Sequence, residues 1–146
     1  MKYSLTVFGL VLVLLAGAAA GYLLATKRPA ASSSAPIADD MVVVDNPAPG
    51  SKITSPLKVT GRARGNWYFE ASFPVELTDM NGQKLALVPA QAQTDWMTTD
   101  WVPFEVTLSF STTATTTATG TLTLHKDNPS GEAQYDDSRS MTVRLK

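Results

Sequence analysis

The stretch VPFEVTLSF, residues 102–110, has the clearest strand pattern in the chain. Apolar residues occupy every second position from Val102 to Phe110, and Glu105, Thr107 and Ser109 lie between them. Successive side chains of a β-strand point to opposite faces of its sheet, so this alternation predicts a strand with one buried face. An amphipathic helix would instead repeat its apolar positions every three or four residues.

Similar short runs recur from Met41 to the end of the chain, separated by Pro, Gly, Asn and Asp. They are MVVVD (41–45), PLKVTGRAR (56–64), SFPVELTD (72–79), QKLALVPAQ (83–91), TLTLHKD (121–127) and SMTVRLK (140–146). No window of a dozen residues in this part has helical spacing. The pattern predicts an all-β domain over residues 41–146, an immunoglobulin-like two-sheet sandwich of about seven strands. With no cysteine in the chain, no disulfide can link the sheets.

Two connections have the composition of turns or loops. Asn81–Gly82 suits the positive φ angles of a type I′ hairpin turn between residues 72–79 and 83–91. The low-complexity run STTATTTAT, residues 111–119, predicts a loop.

The run GRARGNWYFEASFPVEL, residues 61–77, is rich in aromatic and charged residues, and its aromatic side chains could form either a binding surface or part of the core. In strand phase Trp67, Phe69 and Phe73 lie on one face and Tyr68 on the other. Large apolar side chains are usually buried, so we expect the first three to fill the core. Pro74 cannot donate a ladder hydrogen bond and marks an edge or a bulge.

The first 28 residues predict a transmembrane anchor or a signal peptide. Tyr3 to Ala25 is an apolar stretch of 23 residues, and a helix needs about 20 to cross a bilayer core. This length favours an uncleaved anchor, although Ala18–Ala20 leave cleavage by a signal peptidase open. PAASSSAPIADD, residues 29–40, predicts a flexible linker.

This arrangement predicts a single-pass protein of a bacterial membrane with its domain on the extracytoplasmic side, or an exported domain if the leader is cleaved. The flanking charges, Lys2 on one side and Lys27–Arg28 on the other, do not fix the orientation. Beyond residue 28, the chain has nine basic and 13 acidic side chains. A net acidic domain is repelled by phosphate backbones, so no nucleic-acid binding is expected.

The sequence holds no recognisable catalytic motif. The only histidine, His125, lies on the face opposite Leu122 and Leu124, and we expect it to be exposed. No nucleophile elbow, zinc-binding helix, phosphate loop or dinucleotide fingerprint occurs. We therefore expect no enzyme, no catalytic residue and no cofactor.

Three aromatic side chains are candidates for a binding surface: Tyr68, Trp96 and Trp101. Exposed aromatic rings can stack on sugars, but rings at this position can equally cap the end of a sandwich, which we favour.

The run KDNPSGEAQYDD is the most polar cluster, with Asp127, Asn128, Asp136 and Asp137. Oxygen-rich loops of this kind can hold Ca²⁺, but the spacing does not match an EF-hand. Asp, Asn, Pro, Ser and Gly also shape turns through their own side chains, and we favour that explanation. No metal site is therefore assigned.

Three long segments resemble the immunoglobulin-like domain family named for bacterial spore germination proteins. They are NPAPGSKITSPLKVTGRARGNWYFEASFPVELTDMNGQKLA, AQAQTDWMTTDWVPFEVTLSF and GTLTLHKDNPSGEAQYDDS, within roughly Val42 to Leu145. Thr94 departs from the family pattern, where Gly is more usual before Asp-Trp. The resemblance implies an immunoglobulin-like fold in a bacterial envelope protein without known catalytic activity. A role in germination does not follow from the fold.

We therefore expect a non-catalytic, membrane-tethered module that makes protein contacts in the bacterial envelope. One alternative is a glycan- or peptidoglycan-binding module that uses the three aromatic candidates. The other is a passive structural spacer.

Overall fold

The computed structural model describes residues 35–112 and 118–146. Regular structure in these ranges is β-strand, apart from two three-residue 3-10 turns at Gly65–Trp67 and Ala133–Tyr135. The predicted anchor, residues 1–28, and the first half of the predicted linker, residues 29–34, lie outside the described residues. Within the described ranges, no helix has the length and apolar character needed to span a bilayer.

Eight strands are present in the described residues, and the predicted runs are confirmed as strands to within a few residues. They are β1 (Val42–Asn46), β2 (Lys52–Ile53), β3 (Leu57–Arg64), β4 (Ser72–Asp79), β5 (Lys84–Ala92), β6 (Trp101–Leu108), β7 (Ala118–His125) and β8 (Ser138–Leu145). The last two positions of the predicted loop 111–119 therefore belong to β7, and residues 113–117 lie outside the described residues.

The strands form one curled sheet in the order β1-β3-β6-β5-β4-β7-β8-β2. Every pairing is antiparallel except that of β2 with β8. β5 and β6 pair through only two residues, Gln91 and Ala92 of β5, opposite Glu105 and Phe104. The sequence predicted two separate sheets, but the structure has one continuous sheet. The reason is that the nine-residue β5 pairs with β4 along most of its length and with β6 at its end, and so links the two layers.

The core follows the alternation of the sequence. All five apolar positions of 102–110 are buried, as predicted. Phe73 of β4 meets Phe104 of β6 edge-on, with 5.0 Å between ring centroids, so the curl of the sheet brings the two layers into contact. Among the described residues, no polar or charged side chain is fully buried. Burial of apolar surface, at about 25 cal/mol per Å², is therefore the main stabilising term.

The predicted phase of the aromatic run holds only at its two ends. Trp67 and Phe73 are fully buried, as expected, but Phe69 is 40% exposed and Tyr68 only 4% exposed. The strand assumed over residues 67–71 does not exist. A 3-10 turn at Gly65–Trp67 and a chain reversal at Glu70–Ala71 interrupt it, so the inward and outward faces exchange.

The β4–β5 connection is not the predicted type I′ turn. Gly82 has a φ of +78°, but Asn81 is not among the non-glycine residues with positive φ. The Asp79 carboxylate accepts hydrogen bonds of 2.8 Å from the backbone N–H groups of both Asn81 and Gln83. This side chain stabilises a three-residue loop in which only the last position is left-handed, a common alternative for hairpins.

The end of the predicted linker lies against the domain. Ile37 is 5% exposed, and its carbonyl accepts a 2.9 Å hydrogen bond from the N–H of Val44. The Asp39 carboxylate accepts bonds from the N–H groups of Met41 and Val42 and pairs with Arg139 of β8. Residues 37–40 are thus fixed to the sheet by both apolar burial and charge.

Candidate functional site

The chain reversal at Phe69–Ser72 is the most unusual backbone in the described residues. Phe69 and Ser72 exchange backbone hydrogen bonds of 2.9 and 3.1 Å, which defines a two-residue turn. Glu70 and Ala71 between them have φ angles of +48° and +62°. Side chains other than Gly, Asn and Asp rarely adopt this region, and each residue held there costs about 1–2 kcal/mol. Such strain persists only where the surrounding structure imposes it, and it is concentrated at functional sites.

The loop from Asp95 to Asp100 lies beside this turn, held by backbone contacts around Gly65. The Gly65 N–H donates to Asp100 O at 3.1 Å. A Cβ on Gly65 would lie 1.9 Å from Thr98 O and 2.4 Å from Trp96 O. Only glycine permits so close an approach between two backbones. The loop is closed further by the Thr98 N–H, which donates to Trp96 O at 2.8 Å.

Together the turn and the loop present three apolar side chains, here named the aromatic corner: Phe69, Trp96 and Met97. The rings of Phe69 and Trp96 meet edge-on with centroids 6.5 Å apart. Trp96 is partly buried against the core, whereas Met97 is 76% exposed. The Asp95 carboxylate accepts a 3.0 Å bond from the Met97 N–H, which fixes the apex of the loop. The result is an apolar surface on a constrained backbone.

Two carboxylates border the aromatic corner. Glu70 is exposed at the tip of the strained turn. Asp127 lies beside it, because the Asp127 N–H donates to Trp67 O at 3.0 Å. Burial raises the pKa of Asp127 and repulsion from Glu70 adds to the rise, while a bond from the Asn128 N–H opposes it. Neither carboxylate has an ion-pair partner within residues 35–112 and 118–146.

Trp101 lies near this end of the domain, at the first position of β6, and is half-buried. The guanidinium carbons of Arg64 and Arg62 lie 4.3 and 5.4 Å from the centroid of its ring. Both arginines lie on the outward face of β3, and Arg62 also approaches Asp45 at 3.6 Å. Cation–π contacts of this kind contribute about 0.5–1 kcal/mol at exposed sites. The structure therefore places Trp101 in a stack with two cations.

Tyr68 does not lie on the surface with the other two aromatic candidates. Its side chain is buried, meets Phe73 edge-on at 5.0 Å, and donates a 2.7 Å hydrogen bond to Val102 O. Burial raises the pKa of Tyr68 above its ordinary value. The prediction that Tyr68 points outward is wrong, because the 3-10 turn before it rotates the chain.

The polar cluster of residues 127–137 forms turns. The Asn128 amide donates to Glu132 O at 2.9 Å and to the Asp136 carboxylate at 2.7 Å. The Gly131 N–H bonds to Asn128 O at 3.2 Å. Asp137 accepts a bond from the Ser138 N–H and pairs with Arg139. These contacts supply the turn-forming role favoured above, and no group of three or more metal-ligating side chains converges within the described ranges.

His125 lies at the end of β7, with 39% of its side chain exposed. Its Nε2 atom is 3.4 Å from a carboxylate oxygen of Glu76 on β4. Within the described residues, this nitrogen has no hydrogen-bond partner. The geometry therefore does not assemble a nucleophile and base around this histidine.

Sequence reasoning singled out Trp96 but missed Phe69, Glu70 and Met97. Glu-Ala is not a sequence signature of a left-handed turn, and Met97 has no strand phase to interpret. One signal was available. Gly65–Asn66 interrupts the alternation of residues 57–64 and is typical of a break in the strand.

The curled, mostly antiparallel sheet with an apolar core between its layers is typical of an immunoglobulin-like β domain. A family profile described as the immunoglobulin-like domain of bacterial spore germination matches residues 41–133, and the chain belongs to this family. Comparison with curated proteins gave no match, and comparison with solved structures also gave none.

Proposed function

We propose that this protein is a non-catalytic, membrane-tethered module that makes protein contacts in the bacterial envelope through the aromatic corner. The single observation that carries the proposal is the strained turn. Two non-glycine residues are held at positive φ, and the side chain before them is an exposed Phe69 in contact with Trp96. Backbone strain of this kind is concentrated at active sites and ligand clamps, which supports a binding role for this turn.

The exposed apolar side chains support a protein partner. Aromatic residues and methionine are enriched at protein interfaces, and a few such residues supply most of the binding energy. The hydrogen bonds that fix the turn and the loop reduce the entropy lost on binding. The apolar stretch of residues 3–25 is long enough to cross a bilayer core and supports the proposed tether.

Site-specific photo-crosslinking in living cells tests the proposal, with a photoreactive residue in place of Met97. A matched control is available at Met80, which is 73% exposed against 76% for Met97 but lies in the β4–β5 loop. We expect a discrete protein adduct from position 97 and none from position 80. Equal labelling at both positions, or no adduct at either, refutes the assignment of the corner and favours a passive spacer.

A glycan-binding function rests on Trp101 and is the weaker candidate. Sugars stack on a free ring face, and two guanidinium groups already lie over this indole. Sedimentation with purified cell wall separates the two functions. Loss of pelleting in Trp101→Ala, with no loss in Met97→Asp, would favour the glycan function.

A further inference from the structure

Resting on the proposed function, we infer that the partner of the aromatic corner is a basic segment of a protein, in which a lysine or arginine adjoins a large apolar side chain. The inference specifies the chemistry of the partner. It follows from the apolar surface and from the charges that border it.

The apolar half of the partner follows from Met97 and Phe69. Their exposed fractions are 76% and 40%, and the partly buried ring of Trp96, next to Met97 in the chain, meets Phe69 edge-on. Covering such side chains is favourable because it removes apolar surface from water. A large aliphatic or aromatic residue of the partner provides that cover.

The basic half follows from Glu70 and Asp127. The two carboxylates repel one another, and no cation of the described ranges pairs with either. Asp39 and Asp137 are already engaged, since both pair with Arg139. A lysine or arginine placed beside Glu70 and Asp127 adds two attractions that offset their mutual repulsion, whereas an acidic partner would add to the repulsion.

The backbone around the corner also favours a short linear segment. The Ala92 N–H donates to Ala71 O at 2.8 Å, which ties the turn to the end of β5. A small, fixed surface with a few anchors suits a segment that supplies one apolar and one cationic side chain.

A random peptide library displayed on phage, selected on the immobilised full-length chain, tests this inference. We expect the enriched peptides to share a Lys or Arg next to a Leu, Met, Phe, Tyr or Trp. A synthetic copy should lose binding to Met97→Asp and keep it with Met80→Asp. The double variant Glu70→Gln with Asp127→Asn should bind the peptide about three- to tenfold more weakly, the loss expected for rim charges. High salt should weaken binding to the parent more than to this double variant.

Enrichment of peptides without basic residues, or equal affinity of the parent and the double variant, overturns the inference. So does enrichment of acidic peptides. These outcomes are separate from the crosslinking result, because an adduct at position 97 with no preference for basic peptides retains the protein-contact function and rejects only the partner class. The circular dichroism spectrum of each variant confirms that a loss of binding is not a loss of fold.

Discussion

Replacing Ala71 by glycine should stabilise the protein, against the usual direction of such a change. At +62°, the φ of Ala71 lies in the left-handed region, where a residue with a Cβ pays about 1–2 kcal/mol. Glycine adopts this φ with almost no strain, but it makes the unfolded chain more flexible, which lowers the stability by about 0.4–1 kcal/mol. The difference is a net gain of about 0.5–1 kcal/mol, equivalent to a rise in Tm of about 2–6 °C for a domain of this size.

Urea unfolding followed by tryptophan fluorescence measures this gain, and Ala48→Gly is the matched control. Ala48 is exposed whereas Ala71 is half-buried, but both lie in connections between strands, and Ala48 is not among the residues with positive φ. Its replacement should lower the free energy of unfolding by about 0.4–1 kcal/mol. The two substitutions are chemically identical, so opposite signs isolate the backbone conformation as the cause.

A loss of stability in Ala71→Gly similar to that in Ala48→Gly would refute the reasoning. It would mean that residue 71 is not held in the left-handed region, and the argument for a constrained site at Phe69 would lose its basis. A gain in stability together with an unchanged crosslink at position 97 would show that the strain positions the corner without being needed for binding.

Three further substitutions test the contacts around the site, each by urea unfolding of the purified chain. Gly65→Ala places a Cβ 1.9 Å from a backbone oxygen and should cost about 2–3 kcal/mol through overpacking; a loss below about 0.5 kcal/mol would contradict the close approach. Tyr68→Phe removes the bond to Val102 O and should cost about 1 kcal/mol, and an unchanged midpoint would argue against that bond. For Asp39, burial alone would raise the pKa, but the bonds from Arg139 and two backbone N–H groups outweigh it and lower the pKa below 3.8. The charged carboxylate therefore stabilises the fold above pH 3.8, and this contribution disappears as the pH falls through the lower folded-state pKa. Asp39→Asn should cost about 0.5–1 kcal/mol at neutral pH, discounted for partial exposure, and a difference from the parent that persists in strong acid would contradict the linkage.

Local patterns of the sequence predict the strands because burial alternates with the pleat. The five apolar positions of residues 102–110 are buried for this reason, as are Met141, Val143 and Leu145 of β8. The pairing of β5 with β6, which joins the two layers, was not predictable from the alternation of apolar residues. It depends on how far β5 extends past β4 to reach β6, and nothing local to Gln91 or Ala92 encodes that pairing.

The candidate site was only partly predictable, and the reason is physical. Trp96 stands out by its size, but Phe69 was assigned to the core because the strand phase was extended through Glu70–Ala71. Those two residues have no intrinsic preference for a left-handed turn. Their conformation is imposed by pairing on both sides, between Phe69 and Ser72 and between Ala71 and Ala92. At this turn the tertiary contacts override the local preferences of Glu and Ala, and a short window of sequence does not include those contacts.

The two strands at the ends of the sheet, β1 and β2, affect how readily the protein aggregates at high concentration. β1 is bridged on its outer side through Ala38, opposite Val43, and β2 is only two residues long. Long bare strands recruit further strands from neighbouring molecules and so nucleate amyloid-like fibrils. β1 and β2 therefore offer little template for such growth at the two ends of the sheet. A truncation that removes Ile37 and Ala38 should expose the outer edge of β1 and promote aggregation.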